Sequence, residues 1–325
     1  MEIKYLCTLM EIIRNIEKTR MLLKSVATIG VFDGVHAGHQ QVINRVVSDA
    51  KFHHLASMVI TFDRHPRQLF DPQFRPQLLT TQQEKEQEIE RLGVDFLVVL
   101  PFTKEMAALS ARDFMAQILK ERLNVKMLQV GYDNRFGHDS TEGIDDYRRY
   151  GDELGIMVYK GIRLDFQGYH VPVCSSNIRS LIAEEGEVDT ANMFLRRIYE
   201  LSGKVMPGEH IGHQLGFPTA NLEPDDPFKV IPACGVYGVW ATVGDSQKPL
   251  PAMMNIGTRP TFDGRNRTLE VNIFDFDGDL YGQTVRISFL FRLREERKFE
   301  SPEALVAQLQ KDKEQVLYIL NKVKS

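Results

Sequence analysis

Two histidines three residues apart, His36 and His39, sit on a glycine hinge within Gly30-Val31-Phe32-Asp33-Gly34-Val35-His36-Ala37-Gly38-His39. An apolar run rich in β-branched residues (Val26, Thr28, Ile29, Val31) leads in, and a helical pattern (Val42, Ile43, Val46, Val47) leads out. A strand that turns through glycine into a helix presents backbone N–H groups and the positive end of a dipole to an anion. Imidazoles at i and i+3 share one face of the helix start and add two donors aimed at the same spot. Such a site suits a phosphate that becomes more negative during reaction. Gly30, Phe32, Asp33 and Gly34 are therefore candidates for holding a nucleotide, and His36 and His39 for catalysis.

Two further stretches carry chemistry. In Cys174-Ser175-Ser176-Asn177-Ile178-Arg179, hydroxyls at a helix start and an arginine one turn on can clamp a second phosphate through O–H, N–H and guanidinium donors. Alone, Ser175, Ser176 and Arg179 read more simply as an N-cap and a solvated side chain. Behind a histidine hinge and four intervening strand patterns, the clamp is the better reading. In Gly212-His213-Gln214-Leu215-Gly216-Phe217-Pro218-Thr219-Ala220-Asn221, Gly212 and Gly216 permit close backbone approach, and Pro218 fixes the chain before Thr219. Thr219 and Asn221, two apart in an extended segment, point the same way and offer a hydroxyl and an amide oxygen. Those donors suit a hard cation such as Mg2+ that bridges nucleotide phosphates.

The elements that must position these residues fall into two textures. From Ser25 to about Ile182, apolar runs (Ala27–Phe32, Ser57–Phe62, Phe96–Leu100, Met127–Val130, Ile156–Tyr159) alternate with helical patterns. Thr81 and Glu84 form a capping box for a helix ended by Gly93, and Ser110 with Asp113 opens another. This alternation predicts a Rossmann-like parallel sheet with ligands at the carboxyl ends of its strands. After Gly186, strand-like runs between Gly, Pro and Asp turns (Tyr199–Val205, Val236–Val243, Thr268–Phe274, Thr284–Leu293) predict an antiparallel barrel or sandwich. A terminal helix starts at Ser301-Pro302-Glu303. The expected class is α/β followed by all-β, with domains 1–185 and 186–325.

The bulk properties exclude more than they select. The chain has 325 residues, 43% hydrophobic and 26% charged, with a net charge of −4, which argues against nucleic acid as a general partner. Three dispersed cysteines give neither a disulfide framework nor a zinc site. No run approaches the roughly 20 apolar residues that span a bilayer, and the N-terminus lacks the apolar core of a signal peptide. A cytoplasmic protein without a membrane partner is expected, with residues 1–9 an extension, as a monomer or weak homo-oligomer.

The hinge is the HxGH arrangement of the nucleotidylyltransferases, which other nucleotide transferases and class I aminoacyl-tRNA synthetases also carry. The whole pattern resembles the bifunctional prokaryotic riboflavin kinase/FAD synthetases. The resemblance rests on Gly30–His39, Thr61–Pro66, Val130–Gly137, Ser175–Arg179, Pro218–Asn221, Asn255–Phe262, Leu269–Val271 and Arg294–Phe299. It implies a nucleotidylyltransferase domain followed by a riboflavin kinase barrel. Riboflavin is phosphorylated by ATP to FMN, and FMN is then adenylylated by a second ATP to FAD with release of pyrophosphate. Both steps use a divalent metal, and flavins are substrate and product. Within that resemblance Glu270 is the kinase base, and His65, Asn134 and Arg294 are flavin-binding. The chain departs from the family pattern at Cys174, Asn134 and His213, and a barrel that only binds flavin stays open as an alternative.

Overall fold

The computed structural model describes residues 9–71, 73–132, 134–138, 141–164, 166, 168, 172–207, 217–261 and 264–324. The chain folds as two units, Met1–Ser175 and Ser176–Ser325.

The first unit is built on six strands: β1 (Glu11–Ile13), β2 (Ser25–Ile29), β3 (Ala56–Phe62), β4 (Phe96–Leu100), β5 (Val125–Val130) and β6 (Met157–Lys160). They form one sheet in the order β1-β4-β3-β2-β5-β6, parallel at every pairing. All five residues of β2 are buried, as expected of a central strand covered on both faces. The chain leaves β2 towards β3 and β4 on one side and returns to β5 and β6 on the other. The carboxyl ends of β2 and β5 therefore flank the point where strand order reverses, which is where such sheets bind ligands. Helix α1 (Ala37–His53) follows β2 and packs Val42, Ile43, Val46 and Val47 inward. Helix α2 (Gln82–Arg91) opens with the predicted capping box. Thr81 Oγ1 accepts from the Glu84 N–H at 3.1 Å, and Glu84 Oε2 accepts from the Thr81 N–H at 2.9 Å.

The second unit begins inside a helical stretch, Ser175–Ser180 continuing through Leu181–Glu185, ahead of the 185/186 boundary expected from sequence. Residues 182–185 belong with the barrel because their carbonyls are tied to it. Ile182 accepts from the Ala233 N–H at 2.9 Å, and Glu185 accepts from Arg292 Nη1 at 3.1 Å. The barrel comprises β7 (Tyr199–Met206), β8 (Ala220–Pro224), β9 (Gly235–Val243), β10 (Leu250–Thr261), β11 (Gly264–Ile273) and β12 (Thr284–Arg294). It closes in the order β10-β11-β8-β7-β12-β9, antiparallel throughout. Closure removes the exposed edges that an open sheet would present. The terminal helix (Pro302–Lys324) buries Val316 and Leu320 in a cluster with Phe217, Met253 and Phe274.

One glycine shows how tightly the barrel closes. A Cβ at Gly203 on β7 would stand 2.3 Å from the Glu223 carbonyl oxygen on β8, and backbone cannot swing aside as a side chain can. Gly203→Ala should destabilise the barrel by about 1–3 kcal/mol through overpacking. The check is the midpoint of the barrel's unfolding transition in the full chain, and an unchanged midpoint contradicts this packing.

Candidate active sites

The turn after β2 is bent by backbone conformations that side-chain-bearing residues seldom adopt. Phe32 lies at φ 52°, Gly34 at φ 80° and Val35 at φ 39°. The Asp33 carboxylate holds the bend: Oδ1 accepts from the Leu79 N–H at 2.9 Å and the Thr80 N–H at 3.2 Å. Thr80 Oγ1 returns the contact by accepting from the Gly34 N–H at 3.0 Å. Asp33 and Gly34, both read from sequence as nucleotide contacts, thus spend these groups on residues 79 and 80. Gly30 also donates internally, to the Ile60 carbonyl at 3.0 Å. The donors that helix geometry leaves over are the first-turn N–H groups of Ala37 and Gly38.

His36 is the N-cap of α1, and its Nδ1 accepts from the His39 N–H at 3.4 Å. That bond places the proton of a neutral His36 ring on Nε2. The two imidazoles stack with centroids 3.6 Å apart at 19°, and the Phe32 ring meets His39 edge-on at 5.1 Å. Gly38 makes the stack possible, because a Cβ there would press within 3.3 Å of the His36 ring. Among the described residues, His39 Nδ1 is buried without a hydrogen-bond partner, which an incoming ligand could satisfy. Ser175 Oγ donates to the Asp33 carbonyl at 2.9 Å, so it belongs to the same turn. One turn along the helix, Arg179 Nη2 donates to Ser176 Oγ at 3.3 Å.

Beside the turn lies a cavity of about 240 Å³ at the carboxyl ends of β2 to β5, walled by Gly30, Phe62, Phe70, Phe102, Phe136 and Asn134 among others. Aromatic walls with few polar groups suit a flat heteroaromatic ligand. Asn134 Nδ2 bonds the Ile29 carbonyl, tying the cavity's floor to β2. His65 is not in the wall itself. It precedes the wall residue Pro66, its Nδ1 accepts from the Arg67 N–H at 3.2 Å, and its ring leans on Phe74.

In the barrel, a cavity of about 320 Å³ is lined by Thr219, Glu270, Asn255, Asn272, Arg294 and Glu296, with apolar walls from Phe217, Met253, Leu305 and Leu309. Asn221 is paired directly opposite Glu270 across β8 and β11. Asn272 Nδ2 donates to the Pro218 carbonyl at 2.7 Å and so fixes the segment that carries Thr219. Arg294 is held from the terminal helix: Nε and Nη2 donate to Asp312 Oδ2 at 2.9 and 2.8 Å, and Gln308 donates to Oδ1 at 2.7 Å. Gly212 and Gly216 lie outside the described residues.

Sequence reasoning missed several of these groups. Lys85 is buried against the first turn, and burial pulls its ammonium down to about 8 while Asp33, Glu86 and Asp63 oppose the fall. Its one sequence signal is phase, since it lies four residues before the buried Ile89 on an otherwise charged helix. Asp312, buried in the terminal helix, has the same kind of signal, lying four residues before the buried Val316.

A parallel α/β unit with a histidine turn at its crossing point, joined to a closed barrel with its own polar cavity, defines a two-domain nucleotide-handling transferase. The family model for FAD synthetase matches residues 18–176, and that for riboflavin kinase matches residues 195–320. The chain is 35% identical over 289 residues to the bifunctional riboflavin kinase/FMN adenylyltransferase of Escherichia coli K12, covering 88% of this chain and 90% of that one. The enzyme of the same description from Bacillus subtilis is 34% identical over 303 residues, covering 90% and 92%. A crystal structure described as a macrolide-efflux protein from Streptococcus pneumoniae has the same fold, with a TM-score of 0.85 at 32% identity over 94% of this chain and 98% of that one. No helix among the described residues is long and apolar enough to cross a membrane. The chain belongs to the bifunctional riboflavin kinase/FMN adenylyltransferase family, and its function is the conversion of riboflavin to FMN and of FMN to FAD.

The histidine pair carries a prediction of its own. Burial, then the charges of His36 and Lys85, hold the His39 imidazole well below its ordinary 6.5. Because the folded value is depressed, the unfolded chain binds this proton first as pH falls. The resulting stability is complete above about 6.5 and is lost as pH drops towards the folded value. His39 should therefore show one neutral set of NMR shifts from about pH 8 to about pH 6. A titration midpoint at or above the ordinary value contradicts the burial described.

Proposed function

We propose that each reaction runs in its own cavity, FMN adenylylation beside the His36–His39 turn and riboflavin phosphorylation in the barrel. The observation that most supports this reading is that each family-matched segment contains a cavity with sequence-predicted residues on or beside it.

In the adenylyl-transfer step an FMN phosphate oxygen attacks the α-phosphate of ATP in line, and pyrophosphate leaves. No covalent intermediate with the protein is needed, so the work is positioning and charge stabilisation. Gly30, Phe32, Asp33 and Gly34 shape the turn. The first-turn N–H groups of α1, with His36 and His39, meet the phosphates where charge develops. A neutral His39 offers one donor and one acceptor. Arg179 is assigned to the triphosphate on sequence grounds alone, with Ser175 and Ser176 as hydroxyl donors. The isoalloxazine ring fits the aromatic cavity, with Asn134 at its floor and His65 beside Pro66 at its rim.

In the kinase step Glu270 accepts the proton of the ribityl 5′-hydroxyl as that oxygen attacks the γ-phosphate of ATP, releasing ADP. Gly212 and Gly216 are assigned to the nucleotide on sequence grounds alone. Arg294, locked by Asp312, presents a fixed cation at the cavity wall for flavin or phosphate. Thr219 and Asn221 fit a divalent ion of the Mg2+ type, since both are hard oxygen donors beside the Glu270 carboxylate. Among the described residues there is no group of three or more His, Cys, Asp or Glu able to hold a metal. When bound, the ion neutralises phosphate charge. We further propose a monomer or weak homo-oligomer acting in the reducing cytoplasm.

The two assignments separate cleanly in the full-length protein. Glu270→Gln should lower FMN formation by about 10²–10⁴-fold while leaving FAD formation from supplied FMN intact. His36→Ala with His39→Ala should do the reverse, with a loss of about 10²-fold or more. Chromatographic assay of FMN and FAD reads both outcomes, and parallel loss of both activities in either variant contradicts separate sites.

A further inference from the structure

Lys85 lies in the body of α2 and is 7% exposed. Its Nζ stands 3.4 Å from the Val31 carbonyl, 3.3 Å from Thr61 Oγ1 and 3.4 Å from the Phe62 carbonyl. These acceptors come from the turn after β2 and from the end of β3, so one ammonium with three N–H groups spans two strand ends. Thr61 Oγ1 completes the cluster by donating to the same Val31 carbonyl at 3.1 Å. No carboxylate among the described residues lies within ion-pairing distance of Nζ, so its direct partners are dipoles and the charges of Asp33, Glu86 and Asp63 act from further off. That is a costly arrangement unless the charge is used.

The turn it grips holds Phe32 and the β-branched Val35 in the left-handed region. Non-glycine residues persist there only where their surroundings enforce it, and such strain gathers at working sites. The charge also reaches the catalytic pair, since Lys85 is one of the causes that keep His39 unprotonated.

We propose that Lys85 is a positioning residue for adenylyl transfer: its buried ammonium fastens the strained turn that carries His36 and His39 and supplies standing positive charge beside the reacting phosphates. This rests on that turn being the adenylyl-transfer site. The titratable groups facing Lys85 are Asp33 on the turn, Asp63 beyond β3, Glu86 on its own helix, and His39 on α1. The carboxylates favour the charged lysine and burial opposes it, with the balance near 8. The ammonium is present below that value and lost above it, so FAD formation should fall as pH rises through it.

The test compares full-length wild type, Lys85→Met and Lys85→Arg for FAD formation across pH 6 to 10, with riboflavin phosphorylation by the same preparations as an internal measure of folding. Lys85→Met should lower kcat for FAD formation at least about tenfold, lack the alkaline fall, and keep FMN formation within about twofold of wild type. Lys85→Arg, which does not titrate in this range, should regain part of the rate and move the alkaline fall upwards. A Lys85→Met protein with wild-type FAD kinetics and pH profile overturns the proposal. So does a loss shared equally by both activities, which marks a purely structural lysine. If the wild type makes FAD but His36→Ala with His39→Ala leaves that rate untouched, the site assignment beneath the proposal fails instead.

Discussion

The first site depends on one buried carboxylate accepting from two consecutive backbone N–H groups. Asp33 bonds Leu79 and Thr80, and Thr80 bonds back to Gly34. Without that closed set, a turn with Phe32 and Val35 at positive φ would relax to ordinary backbone, and His36 would lose its place as N-cap of α1. Hydrogen bonds to a charged acceptor are worth roughly 1.5–3 kcal/mol each, and strained backbone costs of order 1–3 kcal/mol per residue. The two are of one size, so the clamp is sufficient to hold the bend without a large surplus. A carboxylate near a triphosphate would repel it if free; spent on the backbone, its charge is partly met.

The barrel meets the same requirement by different means. A cavity for a flat ring system needs open apolar walls, yet its polar groups must not move. Strand pairing fixes Glu270 opposite Asn221, and Asn272 ties down the Pro218 carbonyl. The terminal helix contributes Leu305 and Leu309 to the wall, and Asp312 to hold Arg294. In both units the candidate site residues are thus braced by polar groups from neighbouring elements.

Much of this was legible in the amino-acid order because local rules agreed with the tertiary result. The apolar run at Phe96–Leu100 became β4, the run at Ala27–Phe32 became β2 only as far as Ile29 before the turn, and Thr81 with Glu84 capped α2 as their spacing requires. Strands β1, β8 and β10 were not read. β1 has only three residues, β8 holds polar Asn221 and Glu223 and ends in Pro224, and β10 contains Pro251 and Pro260, which mark a strand as improbable. Within the candidate sites the histidine pair, Thr219, Asn221 and Glu270 stood out by type and spacing. The backbone role of Asp33 was not legible because its bonds to residues 79 and 80 join positions 46 and 47 apart in the chain. Lys85 and Asp312 were hidden for the same reason: burial of a charge is set by neighbours distant in sequence.

The central claim is that one chain carries riboflavin through to FAD by two chemically distinct steps. Its most direct test is a time course with full-length protein, riboflavin, ATP and Mg2+, with flavins separated chromatographically. FMN should appear first without delay, and FAD should follow after a lag that vanishes when FMN is supplied at the start. FAD formed without detectable dependence on added FMN, or riboflavin left unconverted, would contradict the account.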